Sequence, residues 1–340
     1  MRIAQISPLY ESVPPHGYGG TERVVSWLTE ALAADGHELV LFASGDSRTA
    51  AQLVPCAPRA LRLDPNAHDP IATHLLMLEQ VFQRAGDFDV IHAHVDYLAF
   101  PFARRSETPV VTTLHGRLDL PVLQPLFREY REQRVISISN DQRKPLPHAR
   151  WQATIHHGLP PDLFHFHDEP DDYLAFLGRI SPEKRVDRAI EIAVRAGRRL
   201  RIAAKIDAAD RKYYETEIRH LFEHPLVEYV GELGETEKNE FLGQAAAVLF
   251  PIDWPEPFGL IMIESLACGT PLIAWPHGSV PEVIDEGVTG FLCRDVDAAA
   301  RAVEDLPKLS RGRCREVFEE RFTAERMARE YAAVYQRLSE

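Results

Sequence analysis

The chain has 340 residues, enough for about two domains at roughly 150 residues each. Apolar residues make up 45% and charged residues 26%, which leaves each half able to bury its own core. A net charge of -13 excludes free nucleic acid as a partner of the whole chain, so any phosphate must be met by a few local cations and backbone amides.

In chain order, residues 3–6 read as a strand. Residues 21–34 read as a helix with Val24, Val25, Leu28, Ala31 and Leu32 on one face, and Gly36 ends it. Further strands are expected at 37–43, 89–93, 110–114 and 135–139. Prolines and clustered acids between 159 and 172 read as an exposed linker. The alternation then restarts, with strands at 173–177, 200–204, 227–230, 247–250 and 271–275. Helices are expected at 183–196, 211–222, 235–246 and 260–268, and a last one at about 323–338. Strands alternating with helices predict parallel sheets covered on both faces. Two such runs predict two α/β domains: residues 1–165, to which the final helix can return, and residues 166–322. Ligands of open α/β sheets sit beyond the carboxyl ends of the strands, so the expected site is a cleft between two facing domains.

The four cysteines, Cys56, Cys268, Cys293 and Cys314, form no C-x-x-C pair and read as reduced thiols. The opening apolar run is too short for a signal peptide, and no run of 18 apolar residues is present. The expectation is a cytoplasmic protein whose membrane contact is at most peripheral.

The sharpest motif runs from Pro255 to Pro271 and holds Glu256 and Glu264 with seven residues between them. Pro255 and Pro257 stiffen the turn around Glu256. Phe258-Gly259-Leu260 then opens a helix whose first amides are unpaired and favour an anion such as diphosphate. Glu264 falls on a helix that is apolar nearly all round, so its carboxylate needs partners, and ribose hydroxyls would serve. The ordinary alternative is an interdomain salt bridge for Glu264 and a loop charge for Glu256. Arg179 and Lys184 follow a buried strand, where two fixed cations can stabilise charge growing on a leaving phosphate. Gly19 and Gly20 precede the first helix, and His115 closes the strand at 110–114.

This pattern resembles the family 4 glycosyltransferases, which have the GT-B fold. Glu256 and Glu264 match their E-x7-E signature. Gly178 to Lys184 resembles their G-R-x4-K element, Gly17 to Glu22 their glycine loop, and Gly278 to Ile284, with Gly287 and Gly290, their C-terminal block. The resemblance implies two facing Rossmann-like domains. It implies that Glu256 contacts sugar hydroxyls and that Arg179 and Lys184 hold the diphosphate without a metal. Further roles follow from the same source: His115 touches the transferred sugar, Glu264 the ribose, and the loop at Gly231 the base. Lys205 stands where the family often has glycine, and His157 where it often has asparagine, so the latter is given no catalytic role.

The resulting expectation is a retaining transferase that moves a sugar from a nucleoside-diphosphate sugar to a hydroxyl acceptor. UDP is favoured over GDP, and the acceptor is a saccharide, a lipid-linked sugar or a small metabolite. No cofactor or metal is expected. Asp87-Phe88-Asp89 and Asp295-Val296-Asp297 match the D-x-D of metal-dependent glycosyltransferases of another fold, but the first precedes a strand instead of ending one. His92-Ala93-His94 and His156-His157 lack cysteine or carboxylate company at metal-site spacing. The rivals are a non-hydrolysing sugar-nucleotide epimerase and a non-catalytic nucleotide-sugar-binding module.

Overall fold

The computed structural model describes residues 1–17 and 19–340, with the backbone alone for Glu235. It divides into two compact units. One comprises Met1–Pro160 and Thr323–Glu340, the other Pro161–Phe322.

The first unit is built on a seven-stranded sheet of β1 (Arg2–Ile6), β2 (Glu38–Ser44), β3 (Gln52–Ala57), β4 (Val90–Ala93), β5 (Val110–Thr113), β6 (Arg134–Ser137) and β7 (Arg150–Thr154). The order is β3-β2-β1-β4-β5-β6-β7, and every pair is parallel. The central strands are apolar and buried because helices cover both faces: Ile3, Ala4 and Ile6 of β1 are enclosed, as is all of β4. Helix Gly20–Ala34 buries Val24, Val25, Leu28 and Leu32. Gly36, at φ 86, supplies the left-handed residue after its end. Helix Ala324–Ser339 also belongs to this unit and buries Met327, Tyr331 and Tyr335.

The second unit holds six parallel strands: β8 (Tyr173–Arg179), β9 (Arg199–Lys205), β10 (Val227–Gly231), β11 (Ala247–Phe250), β12 (Leu272–Ala274) and β13 (Gly290–Leu292). Their order is β10-β9-β8-β11-β12-β13. Helix Val186–Ala196 packs Val186, Ala189, Ile190 and Ala193 into the core and stops at Gly197, φ 63, where the Arg198 amide returns to Ala193 O at 3.0 Å. Its start is unusual. Arg185, a non-glycine, sits at φ 54, which costs about 1–2 kcal/mol. Its guanidinium bonds Asp187 at 2.7–3.1 Å and Asp253 at 2.9 Å. These bonds to two carboxylates work against the strain.

Three strands escape the sequence pattern, and all are sheet edges. β3 carries Pro55, β7 is polar, and β13 is three residues long. Edge strands tolerate these features, which blunt further pairing. Helices Pro70–Phe82, Val296–Asp305 and Arg311–Arg321 were also not anticipated, although Asp69, Asp295 and Ser310 cap their first turns. The helix expected at 211–222 breaks into a short α turn, a π turn at Tyr214–Ile218 and a 3-10 turn at Arg219–Glu223. The stretch 159–172 is not wholly an exposed linker. Phe164 is buried, and Arg315 donates to the carbonyls of Pro161 and Phe164 at 2.7 and 2.9 Å. Only its acidic end is exposed throughout.

Candidate active site

In the second unit, the residues singled out by sequence follow the carboxyl ends of the strands. Arg179 ends β8, Lys205 ends β9 and Gly231 ends β10. The Glu256 loop follows β11, and Gly278 and Ser279 follow β12. Strand order reverses between β8 and β11, the point where open sheets leave a crevice for a ligand. The Lys184 Nζ, beyond β8, is ion-paired there with Glu256 Oε2, beyond β11. Trp254 Nε1 donates to the same oxygen at 3.0 Å. The ammonium also lies 5.3 Å from the Trp254 ring and 5.6 Å from Phe250, so the pair is half-walled by aromatic faces.

The Glu256 turn is held from its backbone. Ser279 N donates to Glu256 O at 3.0 Å, and Ser279 Oγ donates to Phe258 O at 2.7 Å. Gly278, at φ 61, packs so closely that a Cβ would run into the backbone of Pro255 and Glu256. Gly259, at φ 79, then opens helix Leu260–Ala267 and has no side chain to cap it, leaving the first amides to other acceptors. The Phe258 ring is buried and meets Phe322 edge to face, with centroids 6.4 Å apart.

Glu264 is buried in that helix and is paired with Lys238 at 2.7 Å. The salt bridge expected as its ordinary alternative is therefore present, but inside the second unit. Arg179 and Lys205 are register partners and share Asp207, at 3.8 and 3.1 Å. Arg179 also meets Glu183 at 2.5 Å and Asp210 at 3.3 Å. Burial would lift the Glu183 carboxyl, but hydrogen bonds from its own backbone, Ser181 and Arg179 hold it below the usual range. Three carboxylates thus surround two cations, a more acidic setting than the sequence suggested for a phosphate contact.

In the first unit, His115 follows β5 and is half-buried. Its loop is clamped: Gln142 Nε2 donates to the carbonyls of Leu114 and Gly116, both at 2.8 Å. Asp96 accepts the His115 backbone N–H. Asp96 itself sits at φ 49, and burial pushes its carboxyl up to about 6. The His115 ring stacks on His157, centroids 5.3 Å apart, and its Nε2 lies 2.9 Å from His94 Nδ1. Behind it, His94 Nε2 meets Gln5 Oε1 at 2.9 Å. His92 bonds Tyr335 Oη and Thr113 Oγ1, both at 2.7 Å, and Thr113 reaches Tyr331 Oη at 3.0 Å. Burial drives all four imidazoles toward the neutral form, His115 down to about 3 and His92, His94 and His157 well below their ordinary value. Gly20 begins the first helix. Gly19 precedes it, packed so tightly that a Cβ would lie 2.8 Å from Pro15. Tyr18 of the same motif lies outside the described residues.

The model described as "Glycosyl transferases group 1" matches residues 164–321, and that described as "Glycosyltransferase Family 4" matches residues 18–146. The chain belongs to the family 4 glycosyltransferases. It is an enzyme of the hexosyltransferase type. The glycogen synthase of Mycobacterium tuberculosis is 29% identical over 93% of this chain and 89% of that protein. The sucrose-phosphate synthase of Thermosynechococcus elongatus superposes with a TM-score of 0.79 at 21% identity, covering 99% of both chains. HepE of Anabaena, solved in complex with UDP and glucose, gives 0.74 at 18% identity over 99% of this chain and 100% of that one. These structural likenesses show the GT-B fold.

Several groups of this glycosyltransferase escaped the sequence reading. Lys238 sits on a polar helix with no signal to separate it from a solvated lysine. Gln142, Gln5 and Tyr335 act through tertiary contacts that no local motif announces. Other patterns have plain structural duties: Asp295 caps helix Val296–Asp305 through Ala298 N at 2.7 Å, and Asp89 accepts the Arg2 amide at 2.7 Å. Ser139 caps the short helix Asn140–Arg143. Among the described residues, no helix is long and apolar enough to cross a membrane.

Proposed function

We propose that this enzyme transfers a hexose from a nucleoside-diphosphate sugar, with UDP as the favoured nucleotide and GDP the alternative, to a hydroxyl acceptor with retention of anomeric configuration. The observation that carries the reading is the meeting of Lys184 and Glu256 at the switch point of the second sheet, beside the open amides of helix Leu260–Ala267. In this reading the second unit binds the donor, and the first unit receives the acceptor and supplies His115. The UDP found with HepE supports the choice of nucleotide. A saccharide, a lipid-linked sugar or a small metabolite each offers the required hydroxyl.

The chemistry follows from the groups present. The bond between the anomeric carbon and the β-phosphate oxygen breaks, and its electron pair passes to the diphosphate. Lys184, Arg179 and the amides after Gly259 stabilise that growing charge, with Phe258 and Leu260 bringing the backbone close. Glu256 accepts hydrogen bonds from the sugar hydroxyls, and Glu264 holds the ribose while Lys238 keeps its carboxylate paired. Gly231 leaves room for the base, Lys205 flanks the phosphates, and Gly19 and Gly20 offer amides to the donor phosphate or to the acceptor. The acceptor oxygen attacks the face the diphosphate leaves, and its proton passes to the departing phosphate oxygen.

A thermal-shift panel of UDP, GDP and their sugars tests the donor. A ligand at 100 times its Kd stabilises by about 2.7 kcal/mol. Product NMR then reads the anomer. No response to any nucleoside diphosphate, or formation of an epimer from donor alone, would overturn the reading.

A further inference from the structure

Gln5, His94 and His115 form a hydrogen-bonded chain, and the Gln5 oxygen at its inner end fixes the direction of both bonds in it. Gln5 Oε1 can only accept, so His94 Nε2, at 2.9 Å, carries a proton. A neutral His94 then has a lone pair on Nδ1. The partner of that lone pair is His115 Nε2, also at 2.9 Å, which must therefore donate. With its single proton on Nε2, the His115 ring turns a bare Nδ1 outward, and no described side chain bonds that atom.

We propose that Gln5 and His94 are positioning residues that set the His115 tautomer, so that Nδ1 serves as an acceptor for a donating hydroxyl of the transferred sugar. The proposal rests on the reading of His115 as a sugar contact. Gln5 is buried on β1, and His94 directly follows β4, neighbouring strands that are register partners through Gln5 and His92. The inner part of the relay is dry, since Gln5 and His94 are at most 2% exposed. Buried imidazoles stay neutral, which keeps the donor-to-acceptor order intact. The opposite tautomer would present an N–H where a hydroxyl hydrogen should be received. The hydroxyl would then have to rotate and give up its other partner.

Nitrogen-detected imidazole NMR of the full-length protein, with kinetics on the same variants, tests this. In the wild type, His115 should show a protonated Nε2 and an unprotonated Nδ1. Gln5→Leu should mix the two tautomers and lower kcat about tenfold, with donor KM changed less than about threefold. His94→Asn, whose amide oxygen can stand near the lost Nδ1, should retain more activity than His94→Leu. Tyr335→Phe removes the 3.4 Å contact of Gln5 Nε2 but leaves the relay, so it should keep the wild-type tautomer. A wild-type proton on Nδ1, or an unchanged tautomer in folded Gln5→Leu, would overturn the relay. A His115→Ala enzyme with wild-type kcat would instead remove the role of His115 in sugar binding, leaving the NMR result to stand as a structural fact.

Discussion

The two units present the same kind of edge in opposite ways. Beyond the strands of the second unit, charges meet charges: Lys184 with Glu256, Lys238 with Glu264, and Arg179 and Lys205 among carboxylates. At the strand ends of the first unit, neutral imidazoles, hydroxyls and an amide meet in a dry layer. Ion pairs adjust to a ligand by exchanging partners, because Coulomb attraction is only weakly directional. A chain of neutral hydrogen bonds has no such freedom, because each atom is either donor or acceptor. The charged edge is thus suited to a diphosphate whose charge changes during reaction, and the neutral edge to holding a fixed hydroxyl pattern.

The largest effect that would test this contrast is expected at the switch point. Lys184→Ala should lower kcat/KM by about 10–150-fold, the range for losing one charge-assisted hydrogen bond. Unchanged kinetics would remove Lys184 from the site. In the neutral layer, Tyr335→Phe strips the hydroxyl from His92 and should cost about 1–3 kcal/mol of stability by chemical denaturation, with little change in donor KM. A KM effect larger than the stability effect would break the separation between the two edges.

Acid should then find the first unit before the second. The four imidazoles resist protonation when folded, whereas unfolded histidines bind protons below about pH 6.5. Stability should therefore be whole above that pH and fall as pH drops through it toward the folded values. A Tm that is flat or rises from pH 7 to 5 would contradict this, and His157→Asn should blunt the fall. The smallest effect is expected at Arg179, which Glu183, Asp207 and Asp210 already compensate. Arg179→Ala should reduce kcat/KM by less than about tenfold, and by less than Lys184→Ala does. The reverse ranking would mean that the acids move away from Arg179 when the donor binds.

Much of this architecture can be read from local pattern, because buried parallel strands leave continuous apolar runs such as Leu39–Ala43 and Ala247–Phe250. Pro55 hides β3, and the polar run Arg150–Thr154 hides β7, since an edge strand needs neither apolar faces nor all its amides. The same division runs through the candidate site. Glu256, Gly259 and Glu264 stand in one unbroken motif. Lys238 meets Glu264 from a helix 26 residues earlier, and Tyr335 meets His92 across 243 residues. Such partners are chosen by packing, which leaves no mark in a local window.

The return of helix Ala324–Ser339 to the first unit, where Thr323 pairs with Leu159, has a consequence for how the molecule is made. The chain leaves the first unit at Pro160 and rejoins it beside the point of departure, where the Ala324 amide donates to Leu159 O at 3.0 Å. Protein domains tend to fold as they emerge from the ribosome. Here the second unit can be complete while the first still waits for Tyr331 and Tyr335. The half begun earliest is finished last, and His92 stays unlatched until helix Ala324–Ser339 has been translated.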